Sequence, residues 1–264
     1  MAGVDDLLSR ADGPAWRLTL NRPGRRNALT PELAQAVALE VERVCAAGTA
    51  RVILLEGAGG HFCAGLDLRW LETLGATPDR RDIGRGLAQF QSAILAIVRA
   101  PLPVIAVVRG TAAGFGVDLA VACDMRLAGT SASFTSAFSR MGLVPDGGST
   151  YGLPRLIGDG AALRFLLASE TVNAHSALRW GLVDEVVDDA EVEVRTTALA
   201  GALAANAAGS IASIKRLCRA EELAGLARAL AAEGEAQIEA FLSPEFQRRL
   251  AAFLARSARD QGAR

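Results

Sequence analysis

The stretch that most constrains the fold is 103–124, where an apolar run leads through closely spaced glycines into a predicted helix. Residues 104–108 predict a buried strand, and Gly114 and Gly116 let the backbone turn sharply and approach a ligand without an intervening Cβ. The first N–H groups of the helix have no partner of their own, and they lie at the positive end of its dipole. This arrangement favours a site for an oxyanion, or for a carbonyl oxygen that gains negative charge.

A second glycine-rich bend covers residues 57–68 and follows a predicted strand at 51–56. Here the chain turns and enters another short helix or turn at about residues 64–66. Two bends of this kind are able to direct two backbone N–H groups at one oxygen atom.

Strands and helices alternate along the first part of the chain, which predicts an α/β fold. The polar segment 74–86 is predicted to be a mobile loop. Everything after about residue 190 is helical by composition and carries no catalytic signature. We therefore predict a core, 1–190, that holds the site, and a C-terminal helical region, 191–264, whose apolar faces suit packing against the core or a neighbouring subunit.

Charge and cysteine content exclude several classes of function. A net charge of −1 gives no long-range attraction to nucleic acid or to an anionic membrane. The N-terminus is acidic where a signal peptide is basic, so we expect a cytoplasmic location. The four cysteines are scattered, and His61 and His175 lie at no ligand spacing, which predicts neither a metal site nor a Ser/His/Asp triad.

Five segments of the chain resemble the crotonase superfamily, the enoyl-CoA hydratases and isomerases, and they follow the family's order over nearly the whole length. The segments are 20–33 (LNRPGRRNALTPEL), 62–68 (FCAGLDL), 108–128 (VRGTAAGFGVDLAVACDMRLA), 133–158 (SFTSAFSRMGLVPDGGSTYGLPRLIG) and 177–187 (ALRWGLVDEVV).

The resemblance implies a crotonase-like spiral of repeated ββα units with a C-terminal helical region, assembled as homotrimers that pair into hexamers. It implies an acyl-CoA thioester as substrate and no permanently bound cofactor. By motif position, the oxyanion hole is made by the backbone N–H groups of Leu66 and Phe115, although Phe115 replaces a glycine common in the family.

The proton-moving acids depart from the hydratase pattern, which has a glutamate at each of two positions. The first position holds Asp118, whose side chain is shorter by about 1.5 Å, and the second holds Phe138, which cannot transfer a proton. Asp146 lies in a PD turn where isomerases of the family place their acid. Because one carboxylate is able to move a proton from one carbon to another, these residues favour double-bond isomerisation.

Two alternative functions stay open at this stage. Asp118 and Asp146 together could hold a water for hydration, or the protein could be a non-catalytic acyl-CoA binder. Each aspartate also has a structural interpretation, Asp146 as a helix N-cap and Asp118 as a first-turn acid that complements the helix dipole.

The coenzyme A contacts are implied by resemblance alone. Backbone groups around Ala64, Asp67 and Leu68 are expected to bind the adenine, and Arg26, with Ala28 in the same segment, is expected near the phosphates. The last helix carries two further candidates, Phe253 and Arg256, at positions that reach a neighbour's ligand in the family.

Overall fold

The strands form two sheets in the computed structural model, which describes residues 6–73 and 79–262, with the side chains of all of them except Glu72 and 256–262. The strands are β1 (Leu7–Asp12), β2 (Ala15–Leu20), β3 (Val52–Gly57), β4 (Val104–Val108), β5 (Thr111–Ala113), β6 (Met125–Gly129), β7 (Ser133–Thr135), β8 (Thr171–Asn173) and β9 (Glu185–Val187).

The larger sheet has the order β1-β2-β3-β4-β6-β9, and the smaller one has the order β5-β7-β8. In the larger sheet only β1 runs antiparallel to its neighbour, β2, while the other neighbours pair in parallel. The apolar run of β4 is buried at every position, as expected for a strand covered on both faces.

The helices cover the sheets and form the C-terminal part of the chain. They are α1 (Pro31–Ala47), α2 (Arg69–Thr73), α3 (Arg80–Arg99), α4 (Phe115–Ala122), α5 (Phe138–Met141), α6 (Ser149–Ile157), α7 (Asp159–Ala168), α8 (Ala174–Trp180), α9 (Val192–Ala204), α10 (Ala208–Leu242) and α11 (Pro244–Gly262). Successive groups such as β1-β2-α1 and β4-β5-α4 give the ββα repeat that the resemblance implies.

Local signals in the sequence position the helix ends correctly. Thr30 precedes α1, and its side chain accepts a hydrogen bond from the N–H of Leu33 at 3.3 Å. Ser243 precedes α11 in the same way and accepts from the N–H of Phe246 at 3.1 Å. The apolar stripe of α1 is fully buried in the main core, as its helical spacing predicts; it consists of Leu33, Val37, Val41 and Val44.

The prediction of a mobile loop at 74–86 is wrong for its second half. Asp79 accepts a hydrogen bond from the N–H of Arg81, and α3 begins at Arg80, so that Ile83 is already buried within the helix. The charged residues there belong to the outer face of an amphipathic helix. Because so many residues of this segment are charged, the helical spacing of its few apolar residues was not recognised in the sequence. Residues 74–78 lie outside the described part of the chain.

The long helix α10 packs its second half against α3 and α6. Leu226, Leu230, Ile238 and Phe241 are buried on this face. In its first half, by contrast, the apolar residues Ile214 and Cys218 are exposed. Within the described ranges no single helix is long and apolar enough to cross a membrane, although α9 and α10, bent by 99°, meet that test together.

Candidate active site

The two glycine-rich bends lie against each other. Cys63 pairs with Ala112 in an isolated parallel bridge, in which the N–H of Cys63 donates to the oxygen of Thr111 at 3.0 Å and the N–H of Ala113 donates to the oxygen of Cys63 at 2.9 Å. A second bridge ties Leu29 to Leu66. The backbone hydrogen bonds of both bends therefore fix the start of α4 beside residues 63–66.

Gly65 and Gly116 are required by this close approach. Gly65 has φ +88°, and a Cβ there would lie 2.6 Å from the oxygen of Ala113 and 3.2 Å from the nitrogen of Phe115. A Cβ on Gly116 would lie 2.3 Å from the oxygen of Cys63. Because neither position accepts a side chain without backbone movement, the glycines bring the two bends together as well as turning the chain.

Leu66 and Phe115, whose backbone N–H groups are the predicted oxyanion-hole donors, both line the same cavity. Neither donates a hydrogen bond to any residue of 6–73 or 79–262. Phe115 is the first residue of α4, so its amide lies at the positive end of the helix. Its buried ring packs on Phe90, with ring centroids 5.0 Å apart.

The cavity measures about 470 Å³ and brings together most of the residues expected at the site. Those lining it are Arg26, Ala28, Ala64, Leu66, Asp67, Leu68, Phe115, Asp146 and Phe253. Phe138, Ala137 and Met141 line it as well. Asp118 does not line it, and the side chain of Arg256 lies outside the described residues.

Asp146 is a buried carboxyl group that borders the cavity, and Asp67, which also lines it, is ion-paired with Arg22. Oδ2 of Asp146 accepts a hydrogen bond from Nε2 of Gln237 at 3.3 Å, whereas its buried Oδ1 has no partner among the described residues. Burial raises the pKa of Asp146 to about 7, the bond from Gln237 opposes this rise and the charge of Glu233 adds to it. A carboxyl group with this pKa is suited to take up and return a proton near neutral pH.

Asp118 lies behind Asp146 and is 1% exposed. Its Oδ1 accepts a short hydrogen bond from the hydroxyl of Ser149, and its Oδ2 has no partner among the described residues. Burial, followed by the charges of Asp146 and Glu233, raises the pKa of Asp118 well above its ordinary value. A Cβ on Gly147 would lie 2.6 Å from its Oδ2, so the PD turn passes directly over this carboxyl group.

Two functional candidates on α10 were missed by sequence reasoning, which assigned no catalytic signature to the C-terminal region. Gln237 lines the cavity beside Asp146, and Glu233 accepts hydrogen bonds from the N–H groups of Gly148 and Thr150. The interpretation of Asp146 as the N-cap is also wrong, since Gly148 occupies that position. The sequence signal that could have identified them is the spacing of Glu233 and Gln237, two polar residues four positions apart on an otherwise apolar helix face.

The mouth of the cavity is basic. Arg25, Arg26, Arg69 and Arg140 line it, and none of the four forms an ion pair with a described residue. Arg80, by contrast, does not line the cavity and pairs with Glu235 and Glu239 on the outside of α10. No three metal-ligating side chains within 6–73 and 79–262 are grouped to hold a metal ion.

Comparison with known proteins decides the family. The sequence model described as enoyl-CoA hydratase/isomerase matches residues 14–260. The chain belongs to the enoyl-CoA hydratase/isomerase family. It is therefore an enzyme that processes acyl-CoA thioesters, with the α/β fold and helical C-terminal region expected of the crotonase superfamily.

The relatives carry both names of the family. The chain is 35% identical over 256 residues to a 1,2-epoxyphenylacetyl-CoA isomerase of Escherichia coli K12, covering 96% of this chain and 97% of the relative. It is 37% identical over 239 residues to a probable enoyl-CoA hydratase of Rhodobacter capsulatus, covering 90% of each. An enoyl-CoA hydratase structure from Mycobacterium avium subsp. paratuberculosis superposes with a TM-score of 0.86 at 30% identity, over 95% of this chain and all of the other.

Proposed function

We propose that the enzyme isomerises the double bond of an enoyl-CoA thioester, with Asp146 as the single acid and base. The observation that carries the proposal is the position of the carboxyl groups. Asp146 borders the cavity that Leu66 and Phe115 also line, whose amides have no partner among the described residues, whereas Asp118 lies outside its lining.

In this reaction the Asp146 carboxylate removes a proton from C2 of a 3-enoyl-CoA. The C2–H electron pair forms the C1–C2 double bond of an enolate. The enolate oxygen accepts hydrogen bonds from the N–H groups of Leu66 and Phe115. As the enolate collapses, the C2–C3 double bond forms, the C3–C4 double bond breaks and C4 takes the proton from Asp146. One preorganised donor of this kind typically contributes about 3–4 kcal/mol of transition-state stabilisation.

Hydration is the second candidate, and one specific feature favours it. Asp118 and Asp146 each bury a carboxylate oxygen with no protein partner among the described residues, and the two groups are close enough to raise the pKa of Asp118. A water held between them would serve addition to a 2-enoyl-CoA. Phe138, which lines the cavity at the position of the second glutamate of hydratases, argues against the usual arrangement of that water.

The deciding experiment compares Asp146→Asn and Asp118→Asn in two assays, 3-enoyl-CoA isomerisation and crotonyl-CoA hydration. We expect Asp146→Asn to lower the isomerisation rate by at least about 100-fold, and Asp118→Asn to leave most of it. Asp188→Asn, at an exposed aspartate, is the matched control. Isomerisation within a few-fold of wild type in Asp146→Asn refutes the assignment, and loss of hydration in both variants supports the second candidate.

Binding without turnover is the remaining outcome. Tight binding of thioesters by calorimetry, with no reaction across short, long and aromatic acyl groups, would identify a non-catalytic acyl-CoA binder. The aromatic arm is included because one relative is named for a phenylacetyl-CoA derivative.

Coenzyme A itself is proposed to bind at the basic mouth. Its phosphates would meet Arg26 and the neighbouring arginines, which have no anionic partner of their own among the described residues. The N–H groups of Ala64 and Asp67 donate to the backbone oxygens of Arg26 and Leu29, so neither is available to the adenine. We propose that the carbonyl oxygen of Ala64 accepts a hydrogen bond from the adenine amino group instead.

The remaining expectations stay proposals. We propose that the reaction needs no permanently bound cofactor, that the protein forms homotrimers or hexamers, and that it is cytoplasmic. The division into a core, 1–190, and an oligomerisation region, 191–264, is kept on the same terms, with the addition that the second part supplies Gln237 to the cavity.

A further inference from the structure

The turn that carries Asp146 is held by two buried side chains, Gln237 and Glu233, which lie one helical turn apart on α10. Both are about nine-tenths buried or more, with 1% and 5% of their surfaces exposed. Burial of an amide and a carboxylate in an apolar face is costly unless each polar atom has a partner. The partners of these two residues all belong to residues 144–150.

Gln237 uses both ends of its amide on this turn. Its Oε1 accepts from the N–H of Val144 at 3.0 Å, and its Nε2 donates to Oδ2 of Asp146 at 3.3 Å. Because the first bond fixes the orientation of the amide, the donor faces the carboxyl group. Oδ2 of Asp146 is thereby engaged, and its buried Oδ1 is the oxygen without a partner among the described residues.

Glu233 binds the next part of the turn. Its Oε2 accepts from the N–H of Gly148 at 2.7 Å, and its Oε1 accepts from both the N–H of Thr150, at 2.9 Å, and the hydroxyl of the same residue. It thus caps α6 from another helix, where Gly148 at the N-cap has no side chain to do so. These bonds fix the Glu233 carboxylate near Asp146, whose pKa its charge raises.

We propose that Gln237 and Glu233 are positioning residues for Asp146, with Gln237 fixing Oδ1 as the oxygen that exchanges the substrate proton and Glu233 holding a fixed negative charge behind it. The inference rests on the proposed role of Asp146. It extends that role by assigning the orientation and the proton affinity of the acid to α10, in the C-terminal helical region.

The two residues act on the proton of Asp146 in opposite directions. The N–H of Gln237 favours the carboxylate, whereas the charge of Glu233 disfavours it. The other groups around Asp146 are Asp118 on α4, which titrates, and Gln91 on α3, which is neutral and donates to the backbone oxygen of Asp146 at 3.3 Å. No cation contributes to the pKa shift of Asp146.

The test measures kcat for isomerisation against pH in wild type, Gln237→Met and Glu233→Gln. Because Asp146 must be ionised to remove the proton, the acid limb of the profile reports its pKa. Gln237→Met removes the donor, so the limb should move to higher pH and kcat at neutral pH should fall about tenfold, with KM within about twofold. Glu233→Gln removes the charge, so the limb should move to lower pH.

Glu235→Gln is the matched control, because Glu235 lies on the same helix with an exposed side chain. Its profile should coincide with that of wild type. Should Gln237→Met fail to fold, Gln237→Glu keeps the acceptor for Val144 and adds a like charge beside Asp146, so the limb should again move to higher pH.

If Gln237 and Glu233 had a purely structural role, Gln237→Met and Glu233→Gln would each lower the stability of the protein, but the acid limb of each pH profile would stay where it is in wild type. That result overturns the inference. An active Asp146→Asn enzyme would instead refute the proposed function, so the two failures are distinguished by which variant retains wild-type behaviour.

Discussion

Asp146→Asn should make the folded protein more stable at neutral pH while it removes activity. Burial raises the pKa of Asp146 from 3.8 to about 7, so the folded protein binds this proton more tightly than the unfolded chain does. As pH rises through that window, wild type loses stability, because ionising the buried group becomes a cost that the unfolded chain does not bear. Asparagine has no charge to bury and should show no such loss.

The magnitude follows from the linkage between proton binding and folding. Each unit of pKa difference corresponds to about 1.4 kcal/mol, so a rise from 3.8 to about 7 amounts to about 4 kcal/mol. The advantage of the variant should therefore grow by about 1.4 kcal/mol per pH unit between about pH 4 and pH 7, and level off above that. Asp118 remains in both proteins, but loss of the Asp146 charge should lower its raised pKa, which adds to the advantage of the variant at neutral pH.

The assay is urea unfolding at a series of pH values from 4 to 9, at one protein concentration so that any assembly affects both proteins alike. Asp188→Asn, at an exposed aspartate, should follow wild type throughout. If the unfolding free energies of wild type and Asp146→Asn run parallel across this range, Asp146 does not have a raised pKa in the folded protein, and its assignment as a neutral-pH base loses its physical basis.

Two other substitutions test the oxyanion hole and the basic mouth of the cavity. Phe115→Ala removes the ring packed on Phe90 but keeps the backbone amide, so the unfolding free energy should fall by about 3–5 kcal/mol while kcat of the folded enzyme stays within a few-fold. A 100-fold loss of kcat at unchanged stability in urea would contradict a backbone role. Arg26→Ala should raise KM for the thioester several-fold with kcat unchanged. The rise in KM should be smaller at high salt, because salt screens the attraction between the arginine and the phosphates. Arg228→Ala, at an exposed arginine, should change neither KM nor kcat in the same steady-state assay.

Local features of the sequence were sufficient for most of the fold. The glycine-spaced turn after 104–108 predicted both the buried strand and the start of α4 at Phe115, because a strand, a sharp bend and a helix terminus each depend on neighbouring residues. The caps at Thr30 and Ser243 are local in the same way, because each side chain accepts from an N–H only three residues along the chain. Strand β1 and the first turns of α3 were missed, since their polar, exposed residues resemble those of a loop.

Motif positions also predicted most of the cavity lining, including Leu66, Phe115 and Asp146, because each lies at a bend whose geometry is fixed within a few residues. The sequence could not rank the two aspartates. Only the packed structure separates them, by burying Asp118 behind Gly147 while Asp146 borders the cavity.

The sequence by itself determined the alternation of strands and helices that defines the fold class, the two glycine bends and the residue types able to move a proton. The tertiary structure decided which oxygen of Asp146 is free and what charge lies behind it, through Gln237 and Glu233, which are about ninety residues away along the chain. A hydrogen bond or a buried charge acts over a few ångströms in space whatever the separation in sequence, so only the docking of α10 against the PD turn could reveal their role.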